Sequence, residues 1–254
     1  MIRFRILGAL EMDTPDGVVR PRGPKVRKVL ALLLLRRNQT VEIDSLIDEL
    51  WDEAPPRSAI TTVRTHIYHL RGMLTKLIGE RRTEELLVTQ PSGYLLRVAP
   101  EQLDAEMFMK SVANAKSLAH EGQLSEASSR LRGALGMWRG RVLSDVGHGM
   151  VVTQHVGQLE ELRIRALELR VDTGMELGQH RELVAELRGL VAANPFNEWF
   201  HVRLIDALRR SGRRAEALDA LRELRRLLNE ELGLEPSTEA QELQQEILAI
   251  PRSA

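Results

Sequence analysis

Between Arg57 and Arg71 the chain sets arginine, histidine, tyrosine and threonine at helical spacing without a single carboxylate. Apolar residues at Ile60, Val63, Ile67, Leu70 and Leu74 define one helix face that is expected to be buried. Arg57, Thr61, Arg64, Thr65, Tyr68, His69 and Arg71 then fall on the opposite side, with His66 nearer the edge. Surface helices of neutral proteins usually mix their charges, and this one offers donors, acceptors and positive charge only. Phosphates and base edges are the natural partners of such a surface. Near the start of the helix, Arg57, Ser58, Thr61 and Thr62 suit phosphate contact, because free backbone amides collect there. Two simpler roles stand beside these: a solvated face that is basic by chance, and Ser58 or Thr61 acting only as a cap.

Other chemistries find little support. His66 and His69 are spaced to share a helix face, but a metal site needs further ligands, and there is no cysteine and no other histidine nearby. No metal, cofactor or catalytic residue is expected. The nucleophile elbow, the zinc-protease motif, the phosphate loop and the dinucleotide fingerprint are all missing. Carboxylates such as Glu216 and Glu223 lie at helical spacing from Arg213 and Arg226, which reads as solvated helix faces and not as acid–base pairs.

The elements that must hold the basic helix can be taken in order. Ile2 to Met12 alternates as a strand, with a turn at Asp13–Gly17 and a short second strand from Val18. Gly23-Pro24 opens a helix to about Arg37, with Val26, Val29, Leu30, Leu33 and Leu34 inward. Thr40–Ile43 is a short extended link, and Asp44 is the expected N-cap of a helix ending near Trp51, a core residue. After the basic helix, Leu86–Thr89 and Tyr94–Val98 flank Gln90-Pro91-Ser92-Gly93 as a hairpin. Strand pair, three helices and hairpin make a winged helix-turn-helix whose third helix enters the major groove.

Beyond Pro100 the pattern is nearly all helical. Gly122, Gly178 and Gly212 each separate two amphipathic helices, and the last two lie at the tetratricopeptide period. Ala127, Leu183 and Ala217 follow these glycines at one fixed offset, and Leu131, Leu187 and Leu221 at another. Pro195 stops one repeat, and Trp138 and Trp199 are expected to pack within the repeats. The fold class is therefore mainly α with a small β component, with a winged helix over 1–99 and tetratricopeptide-like repeats over 104–250.

With 43% hydrophobic and 28% charged residues the composition is that of an ordinary soluble globular protein, and no apolar run is long enough to span a membrane. The absence of a targeting segment and of cysteine places it in the cytoplasm. Net charge is zero, but the first hundred residues carry a small positive excess and the remainder a matching negative one. That division suits a nucleic-acid reader joined to a part that does not touch the polyanion.

The run VEIDSLIDELWDEAPPRSAITTVRTHIYHLRGMLTK, followed by LLVTQPSGYLLRV, resembles the OmpR/PhoB-type winged-helix DNA-binding domain. The motifs are Leu-x-x-x-Leu-Trp before the turn, Val63-x-x-His66-Ile67-x-x-Leu70-Arg71 in the third helix and Ser92-Gly93-Tyr94 in the wing. Trp138-Arg139-Gly140, Leu159–Arg163, Asn194-Pro195 and Leu232–Ser237 are similar to the bacterial transcriptional activation domain. Together they resemble the Streptomyces antibiotic regulatory protein family. The resemblance implies activation of secondary-metabolite gene clusters by two molecules bound to tandem direct repeats in promoter DNA, a homodimer on DNA, with contact to RNA polymerase holoenzyme. It also places base readout on Thr65, Tyr68 and His69, with Arg64 alongside, and either bracing or phosphate contact on Arg71. Family members often carry arginine at Tyr68 and His69, so no base preference is carried over. The wing turn has Gln90-Pro91-Ser92 where relatives place a minor-groove arginine, so that contact is either missing or made instead by Gln90 or Arg97, with Ser92 a further candidate contact of the wing. Two other functions fit the same sequence: a protein-interaction module built on the repeats, and a ligand-responsive repressor.

Overall fold

The computed structural model describes residues 2–52 and 54–249, so the expected end of the repeats at residue 250 lies outside the described residues. It divides into two compact units, one of residues 1–114 and 132–166, the other of residues 115–131 and 167–254.

The first unit opens with an antiparallel three-stranded sheet, β1 (Arg3–Arg5), β2 (Glu11–Thr14) and β3 (Gly17–Val19). A continuous strand from Ile2 to Met12 is not what forms. Ile6 and Leu7 are both fully buried, which a pleated strand covered on one face cannot provide, and their amides donate to the carboxylate of Asp104 at 2.8–3.0 Å instead of to a ladder. Burial pushes the Asp104 carboxyl above its ordinary value, against the pull of these amides and of Arg139 at 3.8 Å.

Helix α1 (Pro24–Leu35) starts at proline, whose missing N–H costs nothing in a first turn, and its Ala31–Leu34 run is buried on all sides. The expected link at Thr40 is a strand, β4 (Thr40–Glu42), because it pairs with the hairpin strand β6 (Gly93–Leu96), which in turn pairs with β5 (Leu87–Gln90). Helix α2 (Ile43–Trp51) begins two residues earlier than expected. Glu42 occupies the cap position, and Asp44 sits in the first turn, where its charge favours the helix dipole. Trp51 is half-buried and not core, with the Lys25 ammonium 4.2 Å from its ring centre. Helix α3 (Ala59–Ile78) follows, and a short helix not foreseen in the sequence, α4 (Glu80–Leu86), leads into the hairpin.

Three longer helices, α5 (Asp104–His120), α6 (Leu124–Leu135) and α7 (Met150–Glu176), contain the division between the units. In the second unit, α8 (His180–Ala193), α9 (Glu198–Arg210), α10 (Arg214–Leu227) and α11 (Thr238–Ala249) follow. The repeat reading is met in detail at its glycines. Gly122, Gly178 and Gly212 have φ of 77°, 74° and 77°, and the residue after each donates to a carbonyl five positions back at 2.9 Å. Three copies of one left-handed helix stop result, a conformation that disfavours any side chain. The residues at the two repeat offsets are all buried. Helix α8 ends two residues before Pro195. Trp199 meets Phe200 edge-on at 5.4 Å, and in the first unit Trp138, on the turn after α6, meets Phe108 edge-on at 5.3 Å. The Arg213–Glu216 and Arg226–Glu223 pairs form at the exposed surface, where each adds little stability.

Candidate nucleic-acid interface

Helix α3 is held by Ala59, Val63, Ile67, Leu70 and Leu74, all buried. Burying the four larger side chains contributes roughly 1.5–3 kcal/mol each. Ile60, expected on this face, is instead 48% exposed: the buried rows run from Ala59 in steps of three and four, which turns its neighbour outward. The helix starts at Ala59, after a turn carrying the exposed Arg57 and Ser58. Ser58 holds the cap position but its hydroxyl makes no capping bond.

The outer side brings together most of the residues singled out from the sequence. Thr61, Arg64, Thr65, Tyr68 and His69 are exposed, Tyr68 by 73%, with the Tyr68 and His69 rings in edge contact at 5.8 Å. The hydroxyls of Thr62 and Thr65 donate to the carbonyls of Ser58 and Thr61 at 2.9 and 3.0 Å, which presents the Thr65 methyl and a hydroxyl lone pair to a ligand. Among the described residues neither Arg57 nor Arg64 has an ion-pair partner, so both guanidiniums keep all their donors.

Arg71 differs from its neighbours. Its guanidinium donates to the Leu87 carbonyl at 3.2 Å and to the Thr89 hydroxyl at 2.7 Å, bracing β5 against α3. The hairpin turn carries Ser92 exposed and Gln90 half-buried. Arg97 is not at that turn. It lies beyond the other end of β6, beside Arg82 and Glu85, roughly 13 Å from Gly93 at 3.3 Å per residue. The structure therefore groups Gln90 with Ser92 and separates Arg97 from both.

Three cations that sequence spacing did not single out, Arg20, Arg22 and Lys76, border the same surface. A cleft of about 1220 Å³ is lined by Arg22 and Gly23 on one side and by His69, Gly72 and Lys76 of α3 on the other. Lys76 was legible, being seven residues from His69 on one helical stripe. Arg22 had no local signal, because a turn some fifty residues upstream delivers it.

Both ring nitrogens of His66 are buried without a hydrogen-bond partner. Burial, together with the positive charges of Lys25 and His69, holds its imidazole below the ordinary histidine value. The folded state therefore keeps His66 neutral, while the unfolded chain takes up a proton first as pH falls. Its stabilising contribution is complete above the unfolded value near 6.5 and is lost as pH falls from there towards the lower folded value. Thermal denaturation between pH 7.5 and 5.5 should show wild type losing more stability than His66→Gln; equal losses would place His66 in solvent.

A winged helix with an acid-free outer face, joined in one chain to stacked helix pairs, defines a bacterial transcriptional regulator. The family model for "Transcriptional regulatory protein, C terminal" matches residues 21–96, and that for "Bacterial transcriptional activator domain" matches residues 103–248. The chain belongs to the Streptomyces antibiotic regulatory protein family. It is 39% identical over 250 residues to the regulatory protein DnrI of Streptomyces peucetius, covering 97% of this chain and 92% of that one. It is 37% identical to the regulatory protein AfsR of Streptomyces griseus, covering 97% of this chain but only 24% of the relative. A solved structure of Mycobacterium tuberculosis EmbR in complex with a low-affinity phosphopeptide is 30% identical and superposes with a TM-score of 0.89, over 97% of this chain and 65% of that one. Among the described residues no helix is long and apolar enough to cross a membrane.

Proposed function

We propose that the chain is a cytoplasmic, non-enzymatic, sequence-specific activator that reads double-stranded promoter DNA with α3 and switches on a secondary-metabolite gene cluster. The observation that carries this reading is the outer face of α3, with Thr61, Arg64, Thr65, Tyr68 and His69 exposed together, Arg57 exposed on the turn before it and no carboxylate among them. Arg64, Thr65, Tyr68 and His69 contact base edges. Arg57, Ser58, Thr61 and Thr62 hold phosphates, and Gln90 and Ser92 meet the flanking minor groove. Residues 1–99 are the reader and residues 104–250 the activating part, which contacts RNA polymerase holoenzyme. No cofactor takes part.

Two molecules occupy tandem direct repeats. One winged helix covers little sequence, and a pair on one face of the duplex requires sites about one helical turn apart. Footprinting of the purified protein on the promoters around its own gene tests this. Two protected patches at that spacing are expected, and inserting half a turn between them should leave one patch at most. Paired protection that survives the insertion would overturn the geometry, and no protection at low salt by folded protein would overturn α3 as a reader.

A further inference from the structure

Glu49 sits on the buried side of α2, the first helix of the helix-turn-helix, and is 2% exposed. A carboxylate stripped of water needs donors, and α2 offers it none. Its partners come from a hundred residues later. One carboxylate oxygen accepts the Gly149 amide at 2.6 Å, and the other accepts those of Val151 and Val152 at 3.0 and 3.2 Å. The Gly149 amide immediately precedes α7 and those of Val151 and Val152 belong to its first turn, where amides have no partner within the helix and the helix dipole adds to the attraction. The Lys28 ammonium of α1 stands 3.9 Å away. The fit leaves no spare room: a Cβ on Gly149 would lie 2.6 Å from the carboxylate and 2.7 Å from the backbone oxygen of Glu49. Glu49 lies within the match to the DNA-binding family and Gly149 within the match to the activator family, yet both belong to one compact unit.

We propose that Glu49 is a positioning residue of the DNA reader, fastening α2 to the N-terminus of α7 so that docking of α7 and engagement of DNA by α3 are coupled. The inference rests on α3 being the DNA-contacting helix. Leu46 and Leu50 beside Glu49 seat α2 in the core on which α3 lies, so the cap fixes the platform from which α3 projects. Releasing α7 strands a buried carboxylate and loosens that platform. Coupling is reciprocal, so DNA must hold α7 in place by the same factor that docked α7 improves DNA affinity.

The full-length protein and operator DNA defined by footprinting test this without any variant. Hydrogen exchange of the Val151 and Val152 amides should slow about tenfold when operator DNA saturates the protein. Glu49→Gln keeps the shape but turns an amide N–H₂ towards backbone donors. It should bind operator about tenfold more weakly, with the order of base preferences unchanged, and lose the DNA-linked slowing. A purely structural Glu49 would lower the melting temperature while leaving exchange at these amides indifferent to DNA, and that result overturns the proposal. So does equal operator affinity in folded Glu49→Gln. Should that variant fail to fold, the wild-type exchange measurement still decides. If wild type protects no DNA at all, the assignment of α3 fails first and the coupling falls with it.

Discussion

Replacing Gly93 by alanine is expected to lower the melting temperature by roughly 6–12 °C, the consequence of losing about 3 kcal/mol in a unit of this size. The requirement at Gly93 is one of space, since its φ is not in the left-handed region. A Cβ there would lie 2.0 Å from the Val41 carbonyl oxygen, 2.8 Å from the Val41 carbonyl carbon and 2.9 Å from the Glu42 Cα. All three are backbone atoms, so no rotamer change relieves the clash. Only parting β4 from β6 does so. That breaks the register in which Glu42 faces Gly93 and Val41 faces Tyr94, and it strains the bond from the Ile43 amide to the Ser92 carbonyl at the start of α2. Val41 is fully buried and Tyr94 nearly so, so the loss includes packing as well as hydrogen bonds. Thermal denaturation followed by circular dichroism checks this. An unchanged melting temperature would mean that β4 and β6 are not paired in this register.

The same glycine shows what was legible in the chain and what was not. Gln90-Pro91-Ser92-Gly93 marks a hairpin turn from local chemistry alone, and the periodicity of α3 separates buried Val63, Ile67, Leu70 and Leu74 from exposed Thr61, Arg64, Thr65, Tyr68 and His69, though it misplaces Ile60 and passes over Ala59. Local pattern contains that information because a helix face is set by residues three and four apart. The partner that makes Gly93 irreplaceable is a strand fifty residues earlier, whose three residues looked like a link. Glu49 and Asp104 lie further out of reach. Each reads as one acid among many on a helix, and only the fold brings to them the amides of Gly149, Val151 and Val152 or of Ile6 and Leu7, some hundred residues away. Arg71 is an intermediate case. Its place in the motif allowed both bracing and phosphate contact, and the structure gives its donors to β5. Long-range polar pairings of this kind leave no periodic trace, and the one at Glu49 ties residues of both family matches together within the first unit.

A single carboxylate placed on the outer face of α3 should abolish specific binding while leaving the fold intact. Thr65→Glu is the sharpest form of this prediction. Thr65 is exposed, its hydroxyl bonds among the described residues only to the carbonyl one turn back, and glutamate forms helices at least as well as threonine, so the folded state loses little. In the proposed docking of α3 into the major groove the new charge would face acceptor-rich base edges between two phosphate backbones, with Arg64 as its nearest cation along the helix. Binding to the operator should weaken at least a hundredfold, about 3 kcal/mol, with unaltered melting temperature and circular dichroism. Arg64→Ala and His69→Ala provide the contrast. Each removes a donor without adding repulsion, and each should cost about 1–3 kcal/mol while relaxing preference at one or two base pairs. The two kinds of loss separate in salt: repulsion from Thr65→Glu weakens as ionic strength rises, whereas the missing base contacts of the alanine variants do not return. Operator affinity that is untouched by Thr65→Glu in a folded protein would remove α3 from the interface.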